Sequence, residues 1–344
     1  MSVGVYDSKS LQLGCPSLWF YFAREQFLPS RPSLRTGSQL AGKTAIITGS
    51  STGLGKEACT LFLNLKLSRL ILAVRTVKKG EDVAAELRVK FPHAKIEVWE
   101  LEMSSYDSVQ AFAKRVDAEL DQLDVAVLNA AQACFDYATS STGHERVIQV
   151  NYLSTFLLAI LLSPIIKRKR APDSPGRITI VGSGVAYYSK FPNRNSVPLL
   201  PSFDTDKDWD FDERYNVSKL LGHMAILKLA HYIDPKDVIV NVVNPGFCKS
   251  DLAREASGMM FVMFTLMKTF VGHSSEVGAS TYLDAAVSQG KDSHGCFISG
   301  WAIKPFAPPL YSPEFRPVVD RLWDETLQEF EFAGAKQILE HMRD

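Results

Sequence analysis

Short apolar runs alternate with helical-period stretches from residue 43 onward, and this alternation restricts the fold more than any other property of the chain. Thr44-Ala45-Ile46-Ile47-Thr48 comes first, then a glycine-rich turn, then a helical pattern from Gly53 to Leu65. Leu70 to Val74 is a second run, followed by a helix-like stretch at 77–90. Ile96 to Leu101 is a third, and 105–120 follows with Val109, Phe112, Ala113, Val116 and Leu120 at three- and four-residue steps. Val125 to Leu128, a long apolar helix at about 143–168, Ile178 to Val181, a helix at 213–232 and Val238 to Val243 complete the series. The runs are nearly continuous in Val, Ile and Leu, as strands covered on both faces by helices are. The pattern predicts an α/β fold with a doubly wound parallel β-sheet.

Composition narrows the class further. The 344 residues carry 38 Lys plus Arg against 38 Asp plus Glu, a balance that excludes a generally basic nucleic-acid binder. Hydrophobic residues make up 46%, too many for a disordered chain. Cysteines stand at 15, 59, 134, 248 and 296, an odd number without a C-x-x-C pair, so no disulfide framework or metal site is expected. A reducing, cytoplasmic setting fits that usage. No apolar stretch reads as a secretory signal or a spanning helix, because 152–166 is interrupted by Ser and Thr and 259–267 is short.

Thr48-Gly49-Ser50-Ser51-Thr52-Gly53-Leu54-Gly55 lies between the first strand and the first helix. Glycines at such a turn let the backbone approach a pyrophosphate, and the helix start beyond offers free N–H groups to it. This points to Gly49, Ser51, Gly53, Leu54 and Gly55 as a nucleotide cradle; an ordinary strand-to-helix turn is the alternative. The end of the second strand selects the nucleotide. A carboxylate there would bind a ribose diol and repel a 2′-phosphate. Val74 and Arg75 stand there instead, with Lys78 and Lys79 nearby, so NADP(H) is expected unless these cations form a solvated loop.

Tyr215-Asn216-Val217-Ser218-Lys219 puts a phenol and an ammonium one helical turn apart. A phenol titrates near ~10, and a neighbouring ammonium lowers that value toward general acid–base work. The spacing alone also suits a surface tyrosine packed along a lysine stem.

Taken in order, the motifs resemble those of short-chain dehydrogenases/reductases over residues 41–305, in the branch similar to retinol dehydrogenases and fungal secondary-metabolite ketoreductases. They are T-G-S-S-T-G-L-G at 48–55, L-N-A-A at 128–131, V-N-Y-L at 150–153, I-V-G-S at 180–183, Y-N-V-S-K at 215–219 and N-P-G-F at 244–247. The resemblance implies a Rossmann-type domain, an NADP(H) cofactor and a homodimer or homotetramer. It implies that Tyr215 is the general acid/base, that Ser183 holds the substrate oxygen, and that Lys219 binds the nicotinamide ribose and depresses the Tyr215 pKa. It further implies that Asn151 organises a relay water and that Asn129 sits beside the adenine ribose. Pro245, Gly246 and Phe247 would pass beside the nicotinamide, and Ser250 would touch its carboxamide. Glu102 stands where the family usually has Asp against adenine, Ala131 where it has Gly, and Gly182 where it has a first serine.

Substrate choice is expected in a lid at about 247–275. Its Gly258 to Leu266 stretch and Met267 hold four Met and two Phe. Such a surface suits a bulky hydrophobic metabolite of polyketide or terpenoid type, or a dimer contact, and is compatible with peripheral membrane contact. Tyr187 and Tyr188 are candidates to line the pocket. Residues 191–212 read as a rim insertion or a solvated linker, and Lys167 to Arg170 as a cap on a helix end. The flanks are an N-terminal extension at 1–40 and a C-terminal extension at 306–344 with a helix at about 314–333. The expected activity is interconversion of a ketone or aldehyde and an alcohol. A non-redox isomerase or cyclase, or a cofactor-bound scaffold, stays open.

Overall fold

The computed structural model describes residues 7–11, 26–27, 40–172, 174–207, 209–249 and 271–343. Its strands are β1 (Thr44–Thr48), β2 (Arg69–Val74), β3 (Lys95–Glu100), β4 (Val125–Leu128), β5 (Gly176–Val181), β6 (Val238–Asn244), β7 (Phe297–Ser299) and β8 (Ala302–Lys304). They form one sheet in the order β3-β2-β1-β4-β5-β6-β7-β8. Neighbours pair in parallel as far as β7, and β8 returns antiparallel along it. The helices are α1 (Gly53–Asn64), α2 (Val77–Lys90), α3 (Tyr106–Glu119), α4 (Arg146–Lys169), α5 (Phe211–Leu229), α6 (Ser275–Leu283), α7 (Arg316–Glu329) and α8 (Ala335–Arg343).

The two-residue period of a strand sends successive side chains to opposite faces, and the core divides accordingly. Ile46, Ile71, Ala126, Ile178 and Val240 join the core under α3, α4 and α5. Ala45, Ile47, Leu70, Leu72, Val125 and Val127 join a second core with α1, α2 and α6. The result is a three-layer, Rossmann-type α/β sandwich. Strand order reverses beside β1, and that switch point opens a crevice at the carboxyl ends of β1 and β4.

Three segments add to the sequence reading. The helix α4 is long and apolar enough to cross a membrane by composition, but 89% of its most apolar window is buried inside the fold. Residues 191–212 are no solvated linker, since Phe191, Leu199, Leu200 and Phe203 are all in the core. The tail carries two helices rather than one, because Gly334 adopts a left-handed φ of 65° and breaks the chain between α7 and α8. Both pack on the α4/α5 layer through Leu322, Trp323, Phe330, Leu339 and Met342. Each cation at the end of α4 is paired, as a cap would be: Lys167 and Arg170 with Asp237, Arg168 and Lys169 with Asp117.

Candidate active site

The register of the sheet brings the carboxyl ends of β1, β4, β5 and β6 to one edge, and the loops beyond them line one cleft of about 680 Å³. At its floor, Gly49 and Gly53 turn the chain with φ of 67° and 52°, values that favour glycine. Gly55 faces a different constraint: a Cβ there would lie 2.4 Å from the Gly49 carbonyl oxygen. Asn129 donates from Nδ2 to the Thr48 and Gly49 carbonyls at 2.8 and 3.3 Å, so it fastens the glycine turn to the end of β4. Thr52 makes no side-chain cap and the first turn of α1 holds no acid, so its leading N–H groups keep their affinity for an anion. Ser51, Gly53, Leu54 and Gly55 all line the cleft.

Ser183 follows β5 directly, and its Oγ accepts from Val185 N at 3.3 Å, starting a short turn at Gly184–Tyr188. Asp210 caps α5 by accepting from Glu213 N at 2.7 Å, which fixes where Tyr215 and Lys219 fall on the helix. Ser183, Tyr215 and Lys219 line the same cleft. Lys219 Nζ donates to the Val181 carbonyl at 3.0 Å and lies 5.6 Å from the centre of the Tyr215 ring. The expected depression of the Tyr215 pKa by Lys219 is not found. Burial dominates both groups, pushing the phenol above its ordinary value and pulling the ammonium down to about 8. Asn151 sits in a π-helical turn of α4. Its Nδ2 donates to the Gln132 carbonyl at 2.9 Å and to Ser218 Oγ at 3.0 Å, and its Oδ1 accepts from Gln132 N at 2.8 Å. With both N–H donors used, a relay water would have to donate to an acceptor on this residue.

Arg75, Thr76, Lys79 and Glu102 line the opposite end of the cleft. Glu102 accepts from Ser104 N and Oγ at 2.8 Å through one oxygen, and its other oxygen is 3.8 Å from Arg75 Nε. Pro245, Gly246 and Phe247 form the wall after β6. Ser250, the methionine-rich run and most of the proposed lid lie outside the described residues. Of the two tyrosines after Ser183, Tyr188 lines the cleft, whereas Tyr187 is buried and donates to the Pro305 carbonyl. Sequence reasoning missed Gln26 and Phe211 in the lining. His223 lies one turn beyond Lys219. That ring is fully buried among Tyr187, Phe297 and Phe306, and its Nε2 has no hydrogen-bond partner among the described residues. Burial, aided by the Lys219 charge, pulls its pKa to about 3, so the ring is neutral. No cluster of three metal-ligating side chains occurs among the described residues.

The pattern of the family described as "short chain dehydrogenase" matches residues 43–194. The chain is 50% identical over 324 residues to the short chain dehydrogenase/reductase mfmJ of Annulohypoxylon moriforme, covering 94% of each chain. The chain belongs to the short-chain dehydrogenase/reductase family. It is also 42% identical to the short chain dehydrogenase virL of Hypocrea virens, over 95% of this chain and 94% of that one. Among solved structures, the NADPH-dependent 3-quinuclidinone reductase from Rhodotorula rubra has the same fold. It superposes with a TM-score of 0.59 at 20% identity, over 80% of this chain and 97% of that one. The glycine turn, the serine after β5 and the Tyr–Lys pair meet in one cleft.

Proposed function

We propose that this short-chain dehydrogenase/reductase uses NADP(H) to interconvert a ketone or aldehyde and an alcohol on a bulky hydrophobic metabolite, of the polyketide or terpenoid kind made in fungal secondary metabolism. The observation that carries the reading is the convergence of Ser183, Tyr215 and Lys219 on the cleft that also holds the glycine turn. The cleft fits a dinucleotide. The glycine turn packs closely on itself at Gly55, where a Cβ would lie 2.4 Å from the Gly49 carbonyl oxygen, and the uncapped start of α1 suits a pyrophosphate. Arg75 and Lys79 line the end after β2, where no carboxylate follows the strand, and they suit a 2′-phosphate. The Rhodotorula rubra relative, described as NADPH-dependent, agrees with this choice at the level of the fold.

The bound cofactor would supply or accept the hydride. The chain supplies position and protons. A phenol with a raised pKa is protonated at neutral pH, so Tyr215 stands ready to donate its proton to a carbonyl oxygen becoming an alkoxide. Ser183 Oγ donates to the same oxygen and stabilises the charge that develops there. Lys219 holds a positive charge below about pH 8 beside the phenol ring, which favours the phenolate once the proton has left. Tyr188, Phe211 and Phe247 give the cleft an apolar wall, and Phe211 is stacked on Phe135 at 4.2 Å between ring centres. That wall suits a large, ring-bearing substrate.

The test is NADPH oxidation across a panel of hydrophobic ketones, with product identification. Tyr215→Phe is expected to lower turnover by about 10²–10⁴-fold while NADPH still binds. Unchanged turnover in that variant, or product formed without cofactor consumption, would overturn the reading in favour of a scaffold or a non-redox enzyme.

A further inference from the structure

Gln26 comes from the N-terminal extension, yet it is 3% exposed and lines the cleft with Tyr215 and Lys219. Its amide is committed to two backbone segments far away in sequence. Nε2 donates to the Phe247 carbonyl at 2.9 Å and to the Val271 carbonyl at 2.7 Å. Oε1 accepts from Phe247 N at 3.1 Å. Both N–H donors and one acceptor position are therefore used, with main-chain partners only. The same two segments touch each other next to this contact: His273 N donates to the Phe247 carbonyl at 2.9 Å, and Lys249 N to the His273 carbonyl at 2.9 Å. The Phe247 carbonyl thus receives hydrogen bonds from both Gln26 and His273. Gly246 also fits the arrangement, since its φ is 77° and a Cβ there would lie 3.4 Å from Gln26 Oε1.

We infer that Gln26 is a positioning residue, which fixes the backbone of the Pro245–Phe247 wall and so sets how tightly the cleft holds cofactor and substrate. The N-terminal extension is then part of the active site rather than an appendage. This rests on the reading of the cleft as a nicotinamide site. Only a carboxamide of this length serves, because the site needs two donors and one acceptor on one planar group. Methionine keeps the volume and removes all three bonds. Glutamate keeps the acceptor but turns an oxygen toward two carbonyls.

The experiment compares full-length wild type, Gln26→Met and Gln26→Glu by NADPH fluorescence titration, steady-state kinetics, thermal melting and amide exchange of the peptides around Phe247 and His273. Both variants are expected to weaken NADPH binding and raise substrate KM by about ten-fold, with kcat changed much less, because Ser183, Tyr215 and Lys219 are untouched. The Phe247 amide should exchange faster in both. The inference is overturned if either variant folds and binds NADPH and substrate as the wild type does, even with faster exchange. It is also overturned if the losses track a lowered melting temperature and vanish on cooling. A wild type that fails to bind NADPH defeats the cofactor reading itself, and the wild-type titration alone reveals that case.

Discussion

Lys219 carries two opposed demands. Its ammonium must stand beside the Tyr215 ring, and it must do so in a buried site where it donates to the Val181 carbonyl. The penalty for that charge is a pKa lowered from 10.5 to about 8. Between those values the unfolded chain holds a proton that the folded chain has released, so stability rises with pH across that window. Urea unfolding of wild type and Lys219→Met at pH 7 and pH 10 isolates the effect, since other titrations cancel. Wild type is expected to gain stability relative to the variant toward pH 10, and a difference that does not change with pH would count against a buried ammonium. Arg75 makes a simpler claim. Its side chain is 58% exposed with Glu102 as a loose partner at 3.8 Å, so little structure depends on it. Arg75→Ala should weaken NADPH binding by about ten-fold, leave NADH binding nearly unchanged and leave the melting temperature where it was. Equal losses for both nucleotides would remove Arg75 from the 2′-phosphate.

The entry to α4 shows how elements far apart in sequence are tied together behind the cleft. His144 lies between Asp204 and Glu329, with Nδ1 2.9 Å from the first and Nε2 3.1 Å from the second. Burial pulls its pKa down, but the two carboxylates outweigh burial and hold it at about 9. A histidine raised from 6.5 contributes stability that is complete below pH 6.5, declines above it and is lost as pH rises through about 9. His144→Ala should therefore be clearly less stable than wild type at pH 6 and close to it at pH 10, apart from lost packing. Denaturation midpoints at the two pH values measure this, and a gap that widens with pH would contradict it. None of this network was legible in the sequence, because its members come from residues 144, 204 and 329 and have no spacing to read. The strands β1 to β6 were legible, since runs of Val, Ile and Leu between turns and helical stretches leave a local signal, continuous in β2 and β4 and alternating in β3. The strands β7 and β8, three residues each, leave none. The same division holds at the site. Gly49, Tyr215 and Lys219 announce themselves through spacing within short motifs, and Ser183 through the family resemblance. Gln26 does not, because its partners lie 221 and 245 residues away. Spacing likewise reports the proximity of Tyr215 to Lys219 but not the desolvation that pushes the phenol's pKa up.

Both flanks of the family-matched region pack onto the fold within their described residues. At the start of the described chain, Ser8 Oγ accepts from Phe297 N at 2.9 Å, which ties this segment to the first residue of β7. At the other end, residues after Lys304 cover the outer side of α4 and α5. Phe306, Trp323, Phe330, Leu339 and Met342 are each at most 3% exposed, and all belong to the core that includes Tyr152, Phe156 and Leu221. Polar contacts cross the same boundary: Tyr152 and Thr326 share a buried hydrogen bond of 2.7 Å, and Glu325 accepts from Leu199 N at 2.8 Å and Leu200 N at 2.7 Å. Burying one large apolar side chain is worth roughly 1.5–3 kcal/mol, and a domain's whole stability is about 5–15 kcal/mol. Five such side chains therefore match the entire margin. A chain ending at residue 305 keeps every motif of the family and loses that layer. It is expected to be insoluble or to lack fixed tertiary structure by near-ultraviolet circular dichroism, and to bind no NADPH. Phe330→Ala is the graded version, with an expected cost of about 3–5 kcal/mol in urea unfolding and unchanged NADPH affinity below its melting point, because Phe330 is outside the cleft. A soluble chain of 305 residues that binds NADPH as the full protein does would show instead that the catalytic unit ends at β8 and that the tail packs on it without supporting it.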